Sequence, residues 1–527
     1  MNSINHDRSD LLDSIKGIVF LAICFVCWAF SSPAGSGPDE GWHIGSIYCA
    51  FGENYDCDLY ELASASQMNK MTPKTGDSLK LGSLDVIIDN KDGSITPSVD
   101  VASVPWSLDE CFRWNSSKSA NCGSIDDRPS RQDLPSDRDA YPSGYYKTMN
   151  VLTPITGVGK VLLVRVINLS IFSILFLLFI LNYKRLDKVP VLTAITMTLV
   201  PLAMFIIPSV NPSSWSYSGI IFNWVFLNQL LSNTKIRSSS GYSLIVGWFV
   251  AFLLAVSSRY ENILIVAAIS LISVFSRYGL KTFLKLRIAV GIFVVSGMLA
   301  ISLFVSKIGV ISRNKFGDSL SQIGVVDWIF HWIVRLPEVP IQVFGTGGLG
   351  WLDTFVPFVV PAIGLSLFVS AFLFSFINYD RKQILVVIST VLFLASVILS
   401  QAFEYRSLMN NNIQGRYVLS LVTFLLGISI YVSRSPIQLF EIKALRQFAI
   451  LAISFVHMLS LFVNTQRYVN GVSQSFSPMI LTDTSWWWPN SPIGPNFLVI
   501  LGSLSFFLFL RCIWSTVPLK SLDSLKF

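Results

Sequence analysis

Two adjacent carboxylates, Asp39 and Glu40, stand about eight residues beyond the first long apolar run, in Ser36-Gly37-Pro38-Asp39-Glu40-Gly41-Trp42-His43. A carboxylate held at a membrane surface can act as a general base. His43 is four residues past Asp39 and shares its face if the segment is helical. Asp39 also reads as a helix N-cap after a Gly37-Pro38 turn. Four arginines recur near the ends of other apolar runs: Arg165, Arg259, Arg416 and Arg467. The planar guanidinium fork suits phosphate. Each arginine alone also fits a headgroup anchor, and Arg259 has Glu261 within reach as a surface partner. Arg165 falls inside the second run, where a charge is costly and marks function, unless it snorkels to the interface.

Aromatic residues cluster beside these charges. Tyr145 and Tyr146 close the segment Tyr141-Pro142-Ser143-Gly144-Tyr145-Tyr146, Trp351 and Asp353 sit in Gly350-Trp351-Leu352-Asp353-Thr354, and Tyr417 ends Gln414-Gly415-Arg416-Tyr417. With Trp42 they read as an interfacial belt or as platforms for sugar rings. The glycine-rich Phe344–Asp353 stretch has no Lys-Ser/Thr ending and is not a P-loop; it reads as a flexible, aromatic-tipped loop over a site. The four histidines are scattered, no zinc-ligand spacing occurs, and no Ser-His-Asp arrangement can be argued. Asp39 and Glu40 offer oxygen to a divalent cation, but two ligands do not define a site, so the cofactor is left unassigned, without nucleotide.

The elements that must position these residues are membrane helices. Of 527 residues, 52% are hydrophobic and 13% charged, about half the charge of a soluble protein. That excludes an ordinary soluble enzyme, a disordered tail and a nucleic-acid binder. Apolar runs long enough to span a bilayer lie near 15–31, 159–182, 190–208, 216–232, 242–257, 262–276, 288–305, 354–377, 383–401, 416–433, 447–464 and 496–516. The expected fold is an all-α polytopic membrane protein of about twelve transmembrane helices. Its units are 1–31 (N-terminus and first span), 32–158 (a large loop), 159–305 (spans two to seven), 306–353 (a second long loop with an interfacial helix near Trp328 and Trp332), 354–516 (spans eight to twelve) and 517–527 (tail). The first run, with its basic start, also fits a signal peptide.

Charge sets the orientation. Residues 32–158 carry 18 acidic and 10 basic residues. With the N-terminus inside, 18 Lys and Arg lie on the cytoplasmic side, against 8 in the outer loops after the first, as the positive-inside rule requires. This places residues 32–158 outside the plasma membrane. Cys49, Cys57, Cys111 and Cys122 all fall in that loop, and an oxidising compartment favours two disulfides. Three pairings are possible; Cys49–Cys57 with Cys111–Cys122 is preferred, because short loops close easily. Cys24, Cys27 and Cys512 fall in spans.

Five motifs occur in order: Pro38-Asp39-Glu40, Tyr141 to Tyr146, Asn211-Pro212, Gly350 to Thr354 and Gln414 to Tyr417. Together they resemble the bacterial membrane-protein family known as domain of unknown function 2142, which is grouped with the GT-C glycosyltransferases. The chain departs from the His-Pro-Pro common before the paired tyrosines, having Tyr141-Pro142-Ser143 instead. The resemblance implies a GT-C-like fold and transfer of a sugar from a polyprenyl-phosphate lipid to a glycan or glycolipid acceptor on the extracytoplasmic face. It implies Asp39, with Glu40 second, as base or metal ligand. The arginines are then candidates for the lipid phosphate, preferred in the order Arg416, Arg467, Arg259, Arg165. Trp42, His43, Tyr145, Tyr146, Trp351, Asp353, Gln414 and Tyr417 are candidates for acceptor or sugar. The expected partners are that donor, that acceptor and membrane lipids. The competing readings are a lipid-linked glycan transporter or flippase, a polysaccharide polymerase or ligase, and a non-catalytic assembly partner. No internal repeat supports transport.

Overall fold

The structure is a computed structural model. It describes residues 2–48, 50–51, 78–81, 84–87, 112–113, 115–120, 141–153, 158–183, 186–232, 239–283, 330, 332–405, 413–434, 438–472, 488 and 493–520. Their regular elements are helices and one antiparallel hairpin, β1 (Ser78–Leu81) and β2 (Leu84–Ile87), with Ser78 opposite Ile87 and Leu81 opposite Leu84. It lies where the sequence alternates.

The helices are α1 (Asn2–Phe30), α2 (Glu40–Tyr48), α3 (Ser143–Leu152), α4 (Val158–Asn182), α5 (Val189–Thr198), α6 (Pro212–Ser232), α7 (Ser239–Ser258), α8 (Asn262–Phe283), α9 (Glu338–Ile341), α10 (Val359–Phe374), α11 (Arg381–Tyr405), α12 (Gly415–Tyr431), α13 (Lys443–Asn470) and α14 (Pro495–Ser515). The apolar runs become helices because backbone polar groups have no water partner in hydrocarbon and must pair within the segment. Past α5 the chain continues through a wider turn, Leu199–Ala203, to Met204–Ile206. There Val200 leaves helical dihedrals and Pro201 has no N–H to donate.

Among the described residues, seven helices are long and apolar enough to cross a membrane: Leu11–Phe30, Lys160–Asn182, Val189–Ile206, Gly241–Ser258, Arg381–Gln401, Lys443–Asn470 and Pro495–Ser515. Three apolar helices are shorter: Asn262–Tyr278, Val359–Phe374 and Gly415–Tyr431. The run at 216–232 is helical within α6 and mostly buried, but its serines and asparagines lower its hydropathy. The run at 288–305 lies outside the described residues, as do Cys49, Cys57, Cys111, Cys122 and Trp328. Cys24, Cys27 and Cys512 are free thiols on α1 and α14. Trp332 is buried.

The terminal helices α1 and α14 pack together, while α5 and α6 form the interior. At Gly219 a Cβ would fall 2.4 Å from the backbone nitrogen of Ala255, so only glycine lets α6 and α7 approach this closely. Phe249, Leu253 and Leu392 are exposed on the apolar flanks. The C-terminal ends of α1 and α13 and the N-terminal ends of α4, α6 and α12 converge at one end of the bundle, and α2 and α3 lie across it.

Candidate functional site

The site begins where the chain leaves α1. Ser36 N–H donates to Pro33 O and Glu40 N–H to Gly37 O, giving two consecutive turns. Asp39 between them has φ 58°. Left-handed backbone is uncommon outside glycine, though Asp and Asn are enriched there, and such outliers cluster at functional sites. Asp39 does not cap α2 with its side chain. The Glu40 carboxylate folds back on the turn before α2, accepting Gly37 N–H at 2.9 Å, and the Asp39 carboxylate turns away to accept from Arg416 Nη2 at 3.0 Å.

That pair is asymmetric. The Asp39 side chain is 46% exposed and that of Arg416 3%. Arg416 comes from the first turn of α12, where Gln414 holds an extended backbone and Gly415 N–H donates to Gln342 Oε1 at 2.7 Å. Arg416 Nη2 also donates to Tyr417 OH at 3.1 Å, while Nε and Nη1 are buried and have no partner. Burial pushes the Asp39 carboxyl up, but Arg416, His43 and Arg113 outweigh it and hold it below the usual carboxylate range. At neutral pH the effect belongs to the guanidiniums. His43 is neutral there, since burial, aided by Arg416 and Arg259 and opposed by Asp39, pushes its imidazole down to about 3.

A cleft lined by Pro38 and Arg416 opens beside this pair. Leu202, Phe205, Ile206, Leu349 and Leu352 make its walls apolar; Gln342, Gln414 and Arg416 supply its polar groups, and Pro38 forms part of its rim. Gln414 Oε1 is buried without a partner. The cleft thus joins an apolar wall to unused buried hydrogen-bonding groups, the composition of a ligand site.

On the other side of Asp39 lies an aromatic cluster. His43 Nδ1 is 3.0 Å from Tyr146 OH. Trp42, Tyr141 and Tyr146 surround its ring at centroid distances of 5.1, 5.5 and 6.0 Å, and its Nε2 has no partner. The Arg259 guanidinium lies over Tyr417 and Tyr141, at 4.3 and 5.3 Å from the ring centroids, within cation–π range. Burial raises the phenols of Tyr141 and Tyr146, so both stay protonated at neutral pH.

The remaining candidates are engaged elsewhere. Glu40 is fully buried and meets Arg165 through three hydrogen bonds of 2.9–3.1 Å. Arg165 also donates to the carbonyls of Ala29, Ser32 and Pro33. Arg467 pairs with Asp353 at 2.8 Å and donates to the carbonyls of Phe112, Asn115 and Lys118. Arg259 Nε contacts Glu261 Oε1 at 2.5 Å. Of the four arginines, Arg416 alone combines unpaired buried donors with a place in the cleft; Arg467 has only an unpaired Nε. Trp351 is turned inward, donating to Gly35 O at 2.9 Å beneath Arg113. It is therefore an anchor of the glycine-rich loop rather than its tip. Tyr145 is buried against Trp215 and Asn168, away from the cleft.

Sequence reasoning missed Gln342 and Arg113, which carry no local signal. It also missed Asn211 as a site residue, although its Nδ2 donates to Pro38 O at 2.9 Å and holds the Asp39 turn in place. Among the described residues no group of three or more His, Cys, Asp or Glu could hold a metal ion.

The family described as predicted membrane protein (DUF2142) matches residues 21–425. No curated protein and no solved structure matches the chain. The matched stretch includes the Asp39 turn, α3, the glycine-rich loop and Arg416, and leaves out Arg467. The match spans well over half of the sequence, and the chain belongs to this family of predicted membrane proteins, domain of unknown function 2142.

Proposed function

We propose that the protein is an integral membrane glycosyltransferase of the GT-C type. It moves a sugar from a polyprenyl-phosphate donor to a cell-envelope glycan or glycolipid. One observation carries the reading: a half-exposed carboxylate, Asp39, pairs with Arg416, which keeps two unused buried donors and lines an apolar-walled cleft. A lipid phosphate needs both a guanidinium and an apolar path for its tail.

In this reading the donor phosphate binds Arg416 and its lipid follows the wall at Leu202, Phe205 and Ile206. The acceptor hydroxyl attacks the anomeric carbon. Its oxygen–carbon bond forms as the carbon–phosphate-oxygen bond breaks, its proton passes to Asp39, and the charge left on the phosphate is stabilised by Arg416. In-line attack inverts the anomeric centre. Glu40, Arg165 and Arg467 keep structural roles. The basic residues of the opposite loops support an Asp39 end outside the plasma membrane, and the cysteines of residues 32–158 suit that compartment. Twelve spans remain part of this reading.

The test is transfer by purified protein in nanodiscs, offered a panel of radiolabelled polyprenyl-phosphate sugars, with wild type beside Asp39→Asn. Asn accepts left-handed backbone as readily as Asp, so the variant keeps the turn. Release of lipid phosphate that depends on Asp39 is the expected result. Turnover by Asp39→Asn removes Asp39 as the base. Folded wild type inert toward every donor turns the assignment toward transport or assembly.

A further inference from the structure

We infer that Asp39 is a placeholder for the donor phosphate: carboxylate and phosphate compete for one nitrogen of Arg416, so donor binding releases the base. This rests on the glycosyltransferase reading above. A guanidinium presents two edges able to grip an anion with two parallel bonds, Nε with Nη2 and Nη1 with Nη2. Both edges need Nη2. In this structure both Nη2 hydrogens have takers, Asp39 Oδ2 at 3.0 Å and Tyr417 OH at 3.1 Å. The nitrogens left over, Nε and Nη1, are the outer members of the two edges, buried and unpaired. An anion entering the cleft can satisfy either one, but it grips with two bonds only by taking Nη2 from one of its present partners.

Asp39 is the partner that can leave. Its side chain is 46% exposed, so water takes over its solvation when it turns away. Tyr417 stays, since its ring is held between Arg259 and Arg416 at 4.3 and 5.1 Å. While paired, the carboxylate is a poor base, because Arg416 stabilises its charged form. Once phosphate neutralises Arg416, that stabilisation is lost and proton affinity rises as the acceptor arrives. The other groups facing Asp39 are His43 and Tyr146 from α2 and α3, Tyr141, Arg113 and, beside Arg416, Tyr417. None moves in this exchange. The order that follows is donor first, acceptor second.

The experiment measures binding without turnover. A fluorescent polyprenyl monophosphate lacking sugar is titrated into nanodiscs holding wild type, Asp39→Asn, Asp39→Gly or Arg416→Gln, at neutral pH and fixed salt. Both Asp39 variants suit the left-handed backbone, so loss of one to misfolding leaves the other. The expected result is that removing the carboxylate tightens binding about tenfold, roughly 1.4 kcal/mol, while Arg416→Gln abolishes it. Unchanged or weaker binding in the Asp39 variants overturns the placeholder and leaves the phosphate site standing. No binding by wild type or the Asp39 variants overturns the phosphate site and the placeholder together.

Discussion

Asp39 and Glu40 are neighbours in the chain, yet their carboxylates end in opposite surroundings. Glu40 is sealed against Arg165 with both side chains at most 3% exposed, and Asp39 stands half in solvent against a buried Arg416. The left-handed backbone at Asp39 separates them, turning one carboxylate inward to Arg165 and the other to Arg416. A paired acidic motif thus divides into a buried staple and a half-exposed carboxylate.

The staple predicts a stability effect. Glu40→Gln leaves the Arg165 guanidinium buried without its counter-charge. Breaking a buried pair on one side costs about 3–5 kcal/mol. The thermal midpoint in detergent is expected to fall strongly, and Glu40→Gln with Arg165→Met to recover part of it. A wild-type midpoint for Glu40→Gln alone would show that the carbonyls of Ala29, Ser32 and Pro33 suffice for Arg165.

His43 predicts a pH dependence. Its folded-state value is about 3, against an ordinary 6.5. Between these values the unfolded chain binds a proton that the folded one does not, so stability falls as pH drops from 6.5. His43→Gln removes that titration and keeps a partner for Tyr146. Thermal midpoints between about pH 6.5 and 4.5 are expected to fall more steeply in wild type than in the variant. Parallel slopes would mean that His43 takes up its proton without leaving the fold.

The apolar helices and the Asp39 turn were legible because each depends on local pattern: long apolar runs, and Gly-Pro before the acidic pair. Pairing was not. Asp39 and Arg416 lie 377 positions apart, and no local rule joins them. The four arginines, ranked with Arg416 first, had no local rule to separate them for the same reason. What separates them is that Arg165, Arg467 and Arg259 find carboxylates or carbonyls supplied by distant or neighbouring turns, leaving Arg416 with donors to spare. Trp351 misled in a related way. An aromatic residue in a glycine-rich loop reads as an exposed tip, but Gly35 O and Arg113 draw it inward.

Arg416→Lys tests geometry against charge. Lysine keeps a cation beside Asp39 but has no planar fork. Turnover is expected to fall by about 10²–10³, the usual cost of losing a donor to developing charge. The pH profile carries a second readout. Asp39 is held below the ordinary carboxylate range, so the base is present above that lowered value and is lost as pH falls through it. The acid limb of kcat/KM for the donor is expected below the ordinary aspartate value of about 3.9. In Arg416→Gln any residual activity is expected to lose its limb at higher pH. An acid limb in the same place in both proteins would mean that Arg416 does not set the ionisation of Asp39.

Gly350 tests whether the glycine-rich loop shapes the cleft. Its φ is +59° and a Cβ there would lie 2.3 Å from Tyr468 OH. Tyr468 is fully buried, packed against Phe112 and beside Arg467, and donates to Ser36 O at 3.2 Å. The phenol cannot step aside without disturbing the turn that leads to Asp39. Gly350→Ala therefore meets two costs: about 1–2 kcal/mol for left-handed backbone, and displacement of either the loop or the phenol. The expected outcome is a lower thermal midpoint together with weaker binding of lipid phosphate, because Gly350 and Arg416 line the same cleft. Tyr468→Phe deletes the atom in the way. The double variant is expected to regain binding while keeping the backbone cost, so the two substitutions combine non-additively. Strict additivity would mean that the loop relaxes around alanine without reaching Tyr468, and that its contact with the Asp39 turn does not govern the cleft.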